Sequence, residues 1–378
     1  MRKEFLLGTT ALLAGAVAMP DYVSAEEPLR LQVRGFKNEF FGIGDVNVDG
    51  KDFNNTGEFS EGEIQFRGET ALDNGLTVGV QVELEADSRT DQIDEAYAYV
   101  KGDFGKIVAG GENLANYNTF WSVVAPSVGV PINSGWITVF VPPPDGADVS
   151  FRSTIATTNI DIGNDENAVS YYSPRFAGFQ FTGGYAPVVT DSGEGKTFTG
   201  FEANNATEYS NAFGVGANFS QSFNGVGVKV AGGYNHIDAP DNVKALGGDD
   251  VQQVKVGVNV SFAGFSVGGS YANEFDGKRI VNGAGTGFSR SEEGQSWDAG
   301  ASYSTGPWGT SITYFHGEWE ADPTKPGNDE QDSVVGAVSY ALGPGITTSL
   351  SVLYGKFEDE EGAEGEATLG ILGLAVSF

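Results

Sequence analysis

The sequence predicts an all-β chain closed into a transmembrane antiparallel barrel of sixteen strands, and three observations carry that expectation. First, apolar and polar residues alternate with period two along most of the chain. Leu76, Val78, Val80, Val82 and Leu84 interleave with Thr77, Gly79, Gln81, Glu83 and Glu85, and Val254, Val256, Val258, Val260 and Phe262 interleave with Lys255, Gly257, Asn259 and Ser261. Such alternation marks strands with two unlike faces, and convincing helical periodicity is absent. Second, the links between strands are short and long by turns. A soluble sandwich has no reason to sort its loops by length, whereas a membrane barrel pairs short periplasmic turns with longer extracellular loops. Third, 55 Gly and 26 Phe with no Cys in 378 residues suit turn-rich β structure and exclude a disulfide scaffold, Cys-ligated zinc and a thiol nucleophile.

Taken in order, the chain begins with Arg2 and Lys3, an apolar run from Phe5 to Met19, and small residues in Val23-Ser24-Ala25. Residues 1–25 read as a secretory signal peptide, because the run falls short of the ~20 apolar residues that span a bilayer. The mature chain, 26–378, reads as one barrel domain. Strands are expected near 29–44, 58–71, 76–87, 92–101, 105–111, 167–173, 178–187, 209–221, 226–237, 251–261, 265–275, 295–304, 309–319, 333–341, 346–357 and 367–378. Tight turns are expected at 72–75, 102–104, 174–177, 222–225, 262–264, 305–308 and 342–345, and long acidic links at 188–208, 238–250, 276–294 and 320–332. Backbone groups in hydrocarbon must all be paired, which only a helix or a closed barrel achieves. Val, Leu, Phe and Tyr would then face lipid, and Gln, Glu, Thr, Ser, Asn, Lys and Gly would face water. Phe104, Phe176, Phe223, Phe262, Phe265 and Trp308 beside the tight turns suit an interfacial girdle.

Charge narrows the function. With 21 Lys+Arg against 51 Asp+Glu the net charge is −30, which opposes a nucleic-acid backbone. His236 and His316 are the only histidines and stand near the outer ends of strands, in no metal-ligand spacing. No nucleophile elbow or acid–base pair accompanies them, so no catalytic residue is assigned and the chain reads as a non-enzyme.

Several segments resemble the general porins of Gram-negative bacteria. The link 112–166 is too long for an ordinary loop, is rich in Pro, and follows the fifth strand, where those porins fold a third loop into the barrel. Asn167-Ala168-Val169-Ser170-Tyr171-Tyr172-Ser173-Pro174, then Phe176, Gly178 and Phe179, looks like the pattern after that loop, with Phe151-Arg152 ahead of it. Asp94-Glu95-Ala96-Tyr97-Ala98-Tyr99-Val100 and the stretch from Phe104-Gly105 to Ala109-Gly110 resemble the fourth and fifth strands. Two departures stand out: Gly110 is followed by Gly111 instead of Arg, and the loop carries Pro142-Pro143-Pro144-Asp145-Gly146 in place of a Pro-Glu-Phe-Gly-Gly type tip. The carboxy-terminal strand, with Leu372, Leu374 and Val376 on one face before Phe378, resembles the terminal strand of outer-membrane barrels.

The resemblance implies a homotrimer in the outer membrane, in contact with its lipid and lipopolysaccharide. It also implies a pore narrowed by 112–166, with loop carboxylates facing basic residues on the early strands. Asp145, Asp148 and Arg152 are the loop candidates. Arg34 shares parity with Arg30 and Gln32, and Arg67 with Gln65, Glu63 and Glu61, so both arginines are expected in the lumen. Glu69, Glu83, Glu85, Lys229 and Lys255 share that face, and the acidic balance predicts a cation-preferring field.

No cofactor is required, but Asp45-Val46-Asn47-Val48-Asp49-Gly50 matches the first half of a calcium loop, making Asp45, Asn47 and Asp49 candidate Ca2+ ligands. The acidic run from Glu358 to Glu361 with Glu364 and Glu366 is a further candidate. The expected function is passive diffusion of small hydrophilic solutes and ions. Alternatives are a solute-selective channel, which ordered aromatic residues inside the lumen would betray, and a plugged surface barrel serving as an adhesin or structural protein.

Overall fold

The computed structural model describes residues 29–87, 92–134, 137–144, 153–161, 163, 165–189, 209–245, 247–275, 278–280, 288–291, 293–320 and 325–378. The expected signal peptide lies outside them. Eighteen strands are described: β1 (Arg30–Val48), β2 (Thr56–Ala71), β3 (Thr77–Glu85), β4 (Ala96–Gly102), β5 (Gly105–Gly111), β6 (Asn167–Tyr172), β7 (Phe179–Val189), β8 (Tyr209–Phe223), β9 (Val226–Asp238), β10 (Val251–Phe262), β11 (Phe265–Phe275), β12 (Lys278–Ile280), β13 (Phe288–Ser291), β14 (Gly294–Thr305), β15 (Trp308–Trp319), β16 (Asp329–Gly343), β17 (Ile346–Glu358) and β18 (Glu364–Ser377). All but β12 and β13 form one closed antiparallel barrel, which makes sixteen staves in sequence order. The barrel shuts where β1 meets β18: Gly35 N donates to Phe378 O at 3.1 Å and Phe378 N to Gly35 O at 3.0 Å.

Closure leaves no sheet edge, which is what hydrocarbon demands. β10 displays the two faces plainly, with Val256 52% exposed on the outside and Lys255 3% exposed on the inside. Phe104, Phe176, Phe223, Phe262, Phe265 and Trp308 are all exposed beside the tight turns, as an interfacial girdle requires. Toward the long-loop end a second belt of outward side chains includes Tyr185, Phe213, Tyr271, Trp297 and Tyr354. His236 and His316 belong to it. The His236 ring lies 5.1 Å from that of Phe213 and the His316 ring 6.0 Å from that of Trp297, while Asp238 and Asp332 hydrogen-bond their imidazoles.

The structure departs from the sequence expectations in four ways. β12 and β13 make a separate ribbon within the expected link 276–294. Among the described residues three short helices appear where none was expected: α1 (Ala115–Phe120), α2 (Ile137–Phe140) and α3 (Asp241–Ala245). At four to six residues they are too short to display a helical period. β1 and β18 outrun their expected outer ends, because their ladder continues through Asp45 opposite Thr368 and Asn47 opposite Glu366. Finally, the inner face is not polar throughout. On β15–β18 it carries Phe315, Trp319, Val335, Leu353, Phe357, Leu369 and Ile371, all buried.

Candidate functional site: a loop-lined lumen with a charged wall

The apolar inner wall explains the position of the long loop. Val130, Ile132, Ile137, Phe140, Val141, Ile155 and Ala156 from the loop form one buried cluster with the inward residues of β15–β18. Each large side chain covered this way contributes about 1.5–3 kcal/mol. Phe140 reaches on to β1 and β2, its ring 6.1 Å from Phe40 and 5.7 Å from Phe59. At the other end of the loop, Leu114 packs among Ala168, Ala186 and Ala212, and Asn116 Nδ2 donates to Asn235 Oδ1 of β9 at 2.6 Å.

Glycine makes the fit close. A Cβ at Gly317 would stand 2.3 Å from the carbonyl oxygen of Thr154, and one at Gly355 would stand 2.3 Å from a methyl of Val141. Loop backbone therefore lies flush against β15, and the Val141 side chain against β17. Polar anchors fix its register. Asp298 on β14 accepts from Ala125 N at 2.9 Å, from Ser270 Oγ at 2.8 Å and from Asn133 Nδ2. Val128 N and Val130 N donate to Ser311 Oγ and Ser351 Oγ at 3.1 and 3.2 Å. Lys255 points inward as expected, but the loop covers it. Its ammonium donates to Asn159 Oδ1 at 2.7 Å and to Ile160 O at 2.9 Å, beneath the rings of Tyr117 and Phe120. It is a loop anchor, buried at 3% exposure.

The charged inner wall from β2 to β6 adjoins a cavity of about 710 Å³ whose lining contains no β2 residue and includes Lys101, Lys106, Glu112, Asn118 and Tyr172. Arg67 stands on this wall, as its parity required. Its Nε donates to Tyr99 Oη and its Nη2 to Glu69 Oε2, each at 2.8 Å, and Lys101 Nζ donates to the same Glu69 oxygen at 2.8 Å. Lys106 Nζ lies 5.2–5.6 Å from the ring centres of Tyr97, Tyr99 and Tyr172. Sequence reasoning missed Lys101, Lys106 and the three tyrosines. The signal was present, since Tyr97, Tyr99 and Lys101 share one parity on β4. Arg34 is exposed on the inner face of β1 opposite Gln65, its Nη2 donating to Gln32 Oε1 at 2.8 Å. It is thus not gathered into the Arg67 cluster. Asp145, Asp148 and Arg152 lie outside the described residues, so the loop's side of the expected eyelet has no described partner for either arginine.

At the root of the loop, Glu112 is buried with Lys106 nearby and accepts from Asn118 Nδ2 at 2.7 Å. Burial lifts its carboxyl to about 7, partly opposed by Lys106. Above pH 7 the group is anionic and below it neutral, so the cavity loses a negative charge as the medium is acidified. Cation permeability relative to anion should fall roughly twofold between pH 8 and pH 6, and Glu112→Gln should flatten that change. Reversal potentials measured across the two pH values check it.

The candidate calcium ligands are not brought together. Asp45 and Asn47 sit on extended β1, on the outward face, and Asp49 Oδ2 accepts from Glu364 N at 3.2 Å. The acidic run near the last loop is ion-paired: Lys325 meets Glu360 and Glu361 at 2.7 and 2.9 Å, and Lys356 meets Glu358 and Glu364 at 2.8 and 2.7 Å.

Comparison with known proteins agrees with this architecture. No curated protein matches the sequence. Among solved structures, OmpF of Salmonella typhi in complex with daunomycin is similar at 15% identity and a TM-score of 0.59, over 92% of this chain and 97% of that one. The trimer form of in-vitro folded OmpT, an outer membrane protein of Vibrio cholerae, is similar at 14% identity and 0.57, over 93% and 99%. The anion-selective porin of Comamonas acidovorans is similar at 16% identity and 0.56, over 93% and 100%. At these identities the likeness speaks for the fold. A family model for Gram-negative porins matches residues 8–360, and with a closed barrel, an inserted loop and a charged lumen wall already in place, the chain belongs to the Gram-negative porin family and is a protein of the outer membrane.

Proposed function

We propose that the chain is a passive, water-filled diffusion pore for small hydrophilic solutes and ions, that it works as a homotrimer, and that it prefers cations. The observation that carries this reading is the division of the inner wall. The loop is bonded mainly to the β6–β18 side, and the charged β2–β6 side places Lys101, Lys106 and Tyr172 on the cavity of about 710 Å³. The net charge of −30 and the inward carboxylates Glu61, Glu63, Glu83 and Glu112 favour cations, while Arg67, Lys101 and Lys106 oppose them locally. A trimer is supported by the trimer form of the Vibrio cholerae protein. The fold and family are those of a channel and not of an enzyme.

A second reading, a channel with a solute-binding track, is favoured by one observation. Tyr97, Tyr99 and Tyr172 place ordered aromatic rings inside the lumen around Lys106. Single-channel recording of refolded protein in a planar bilayer under a KCl gradient tests both. Large steps in threes with a cation-signed reversal potential are expected. Concentration-dependent block by added solute, relieved in Tyr99→Ala, would favour the track. Folded protein without conductance would remove the channel altogether and leave a plugged surface barrel.

A further inference from the structure

One group of side chains on the inner wall takes no part in the loop anchors or the basic strip. Glu63 on β2 and Glu83 on β3 face the lumen as diagonal neighbours, since Glu63 stands opposite Glu85 and Glu83 opposite Gln65. The link between β3 and β4 folds back over them: Asp94 N donates to Glu83 O at 3.0 Å, and Glu83 N donates to Glu95 O at 2.8 Å. That backbone pairing sets Asp94 beside the two glutamates. One carboxylate oxygen from each of Glu63, Glu83 and Asp94 lies within 4.8 Å of the other two.

Burial makes the cluster demanding. Glu63 is 8% exposed and Glu83 6%. Gln65 Nε2 donates to Glu83 Oε2 at 3.0 Å and to Glu63 Oε2 at 3.3 Å, and Gln81 Nε2 donates to Glu83 Oε1. Those amides serve three of the four glutamate oxygens. Glu63 Oε1 is fully buried and has no hydrogen-bond partner. A buried carboxylate oxygen with nothing to accept is costly, and carboxylates converging on one point repel one another. A cation held between them removes both penalties.

We propose that Glu63, Glu83 and Asp94 bind a divalent cation of the calcium type on the lumen wall, with Glu63 Oε1 as the ligand that the protein itself leaves unused. The donors in the cluster are all oxygens, as a hard cation requires. The spacing also fits. Oxygens on opposite sides of Ca2+ stand up to about 5 Å apart, against roughly 4.2 Å for Mg2+. Lumen water completes the shell. Three carboxylates carry three negative charges, and the ion returns two positive ones, so calcium lowers the local preference for cations. This consequence for conduction rests on the diffusion-pore reading, whereas the binding does not.

The test uses the mature chain refolded into detergent trimers free of lipopolysaccharide, with Ca2+ alone as the probe in calorimetry or equilibrium dialysis at pH 7.5. One Ca2+ per chain is expected. Glu63→Gln with Glu83→Gln should weaken binding about tenfold or more, and Glu61→Gln, on the same face, should leave it intact. Heat-modifiable migration verifies that each variant is folded. The proposal is overturned by folded wild-type trimers that bind no stoichiometric Ca2+, or by binding unchanged in the double variant. An infrared band of a protonated carboxyl that vanishes in Glu63→Gln would overturn it too, since a proton would then relieve the cluster. Trimers that conduct but bind no Ca2+ sink this inference alone, and trimers that bind Ca2+ but do not conduct sink the pore reading alone.

Discussion

Gly317→Val should raise single-channel conductance roughly twofold while leaving a folded, heat-modifiable barrel. The glycine faces inward on β15, and any Cβ there would stand 2.3 Å from Thr154 O and 2.8 Å from Ile155 O. Both are backbone atoms, so no rotamer change can make room. A valine must push the loop off the wall, because the strand is fixed on both sides by ladders to β14 and β16. The loop then releases apolar contacts on β15–β18 and should widen the path. Gly336→Val is the control. A Cβ there meets nothing within 4 Å, so its conductance should match the wild type. Planar-bilayer recording of the two variants decides the matter, and equal steps in both would mean that the loop does not set the bore.

Asp298→Ala should free the same loop by another route. Its carboxylate accepts from Ala125 N, from Asn133 Nδ2 and from the backbone and hydroxyl of Ser270. Removing it leaves Ala125 N and Ser270 N without that acceptor, while Asn133 Nδ2 and Ser270 Oγ keep Thr158 Oγ1 as a partner. The loop's own share, Ala125 N with part of Asn133, is on the order of 1–3 kcal/mol in the attachment of the loop. The barrel ladder is untouched, so the expected outcome is selective: rapid proteolytic cleavage within 112–166 in a barrel that still migrates as folded. Asp298→Asn keeps one oxygen and should lie between wild type and Ala. Cleavage at the wild-type rate in Asp298→Ala would show that apolar packing alone holds the loop.

Much of the fold was legible because a barrel writes itself in period two. Each stave must present unlike faces to lipid and water, so the sixteen expected strands match the observed staves to within a few residues at most ends. The outward positions Val254 to Phe262 read correctly for that reason. β15–β18 were harder. There the inner face meets a loop instead of water, and Phe315, Trp319, Leu353 and Phe357 blur an alternation that depends on one side being wet. The short helices were illegible because one turn leaves no period to detect. At the site, Arg67 was found through parity, and its partners Glu69, Tyr99 and Lys101 follow from the register of β2, β3 and β4, which pairing patterns supply and single-strand reading does not. The fate of Lys255 depended on the loop's path, which no local pattern encodes.

The way the loop is held also has a meaning for biogenesis. Its anchors join residues far apart along the chain: Ala125 to Asp298 across 173 positions, Val128 to Ser311 across 183, and Val130 to Ser351 across 221. Contacts of such high order are reached late, since the closure entropy of the intervening chain must be met first. A nascent barrel missing its last strands offers the loop neither Ser351 nor the apolar bed of β17 and β18. The insert can therefore seat itself only in a cylinder that is already whole. Until then the unfinished assembly holds an unseated segment with exposed apolar groups, a state that quality-control proteases could read as incomplete.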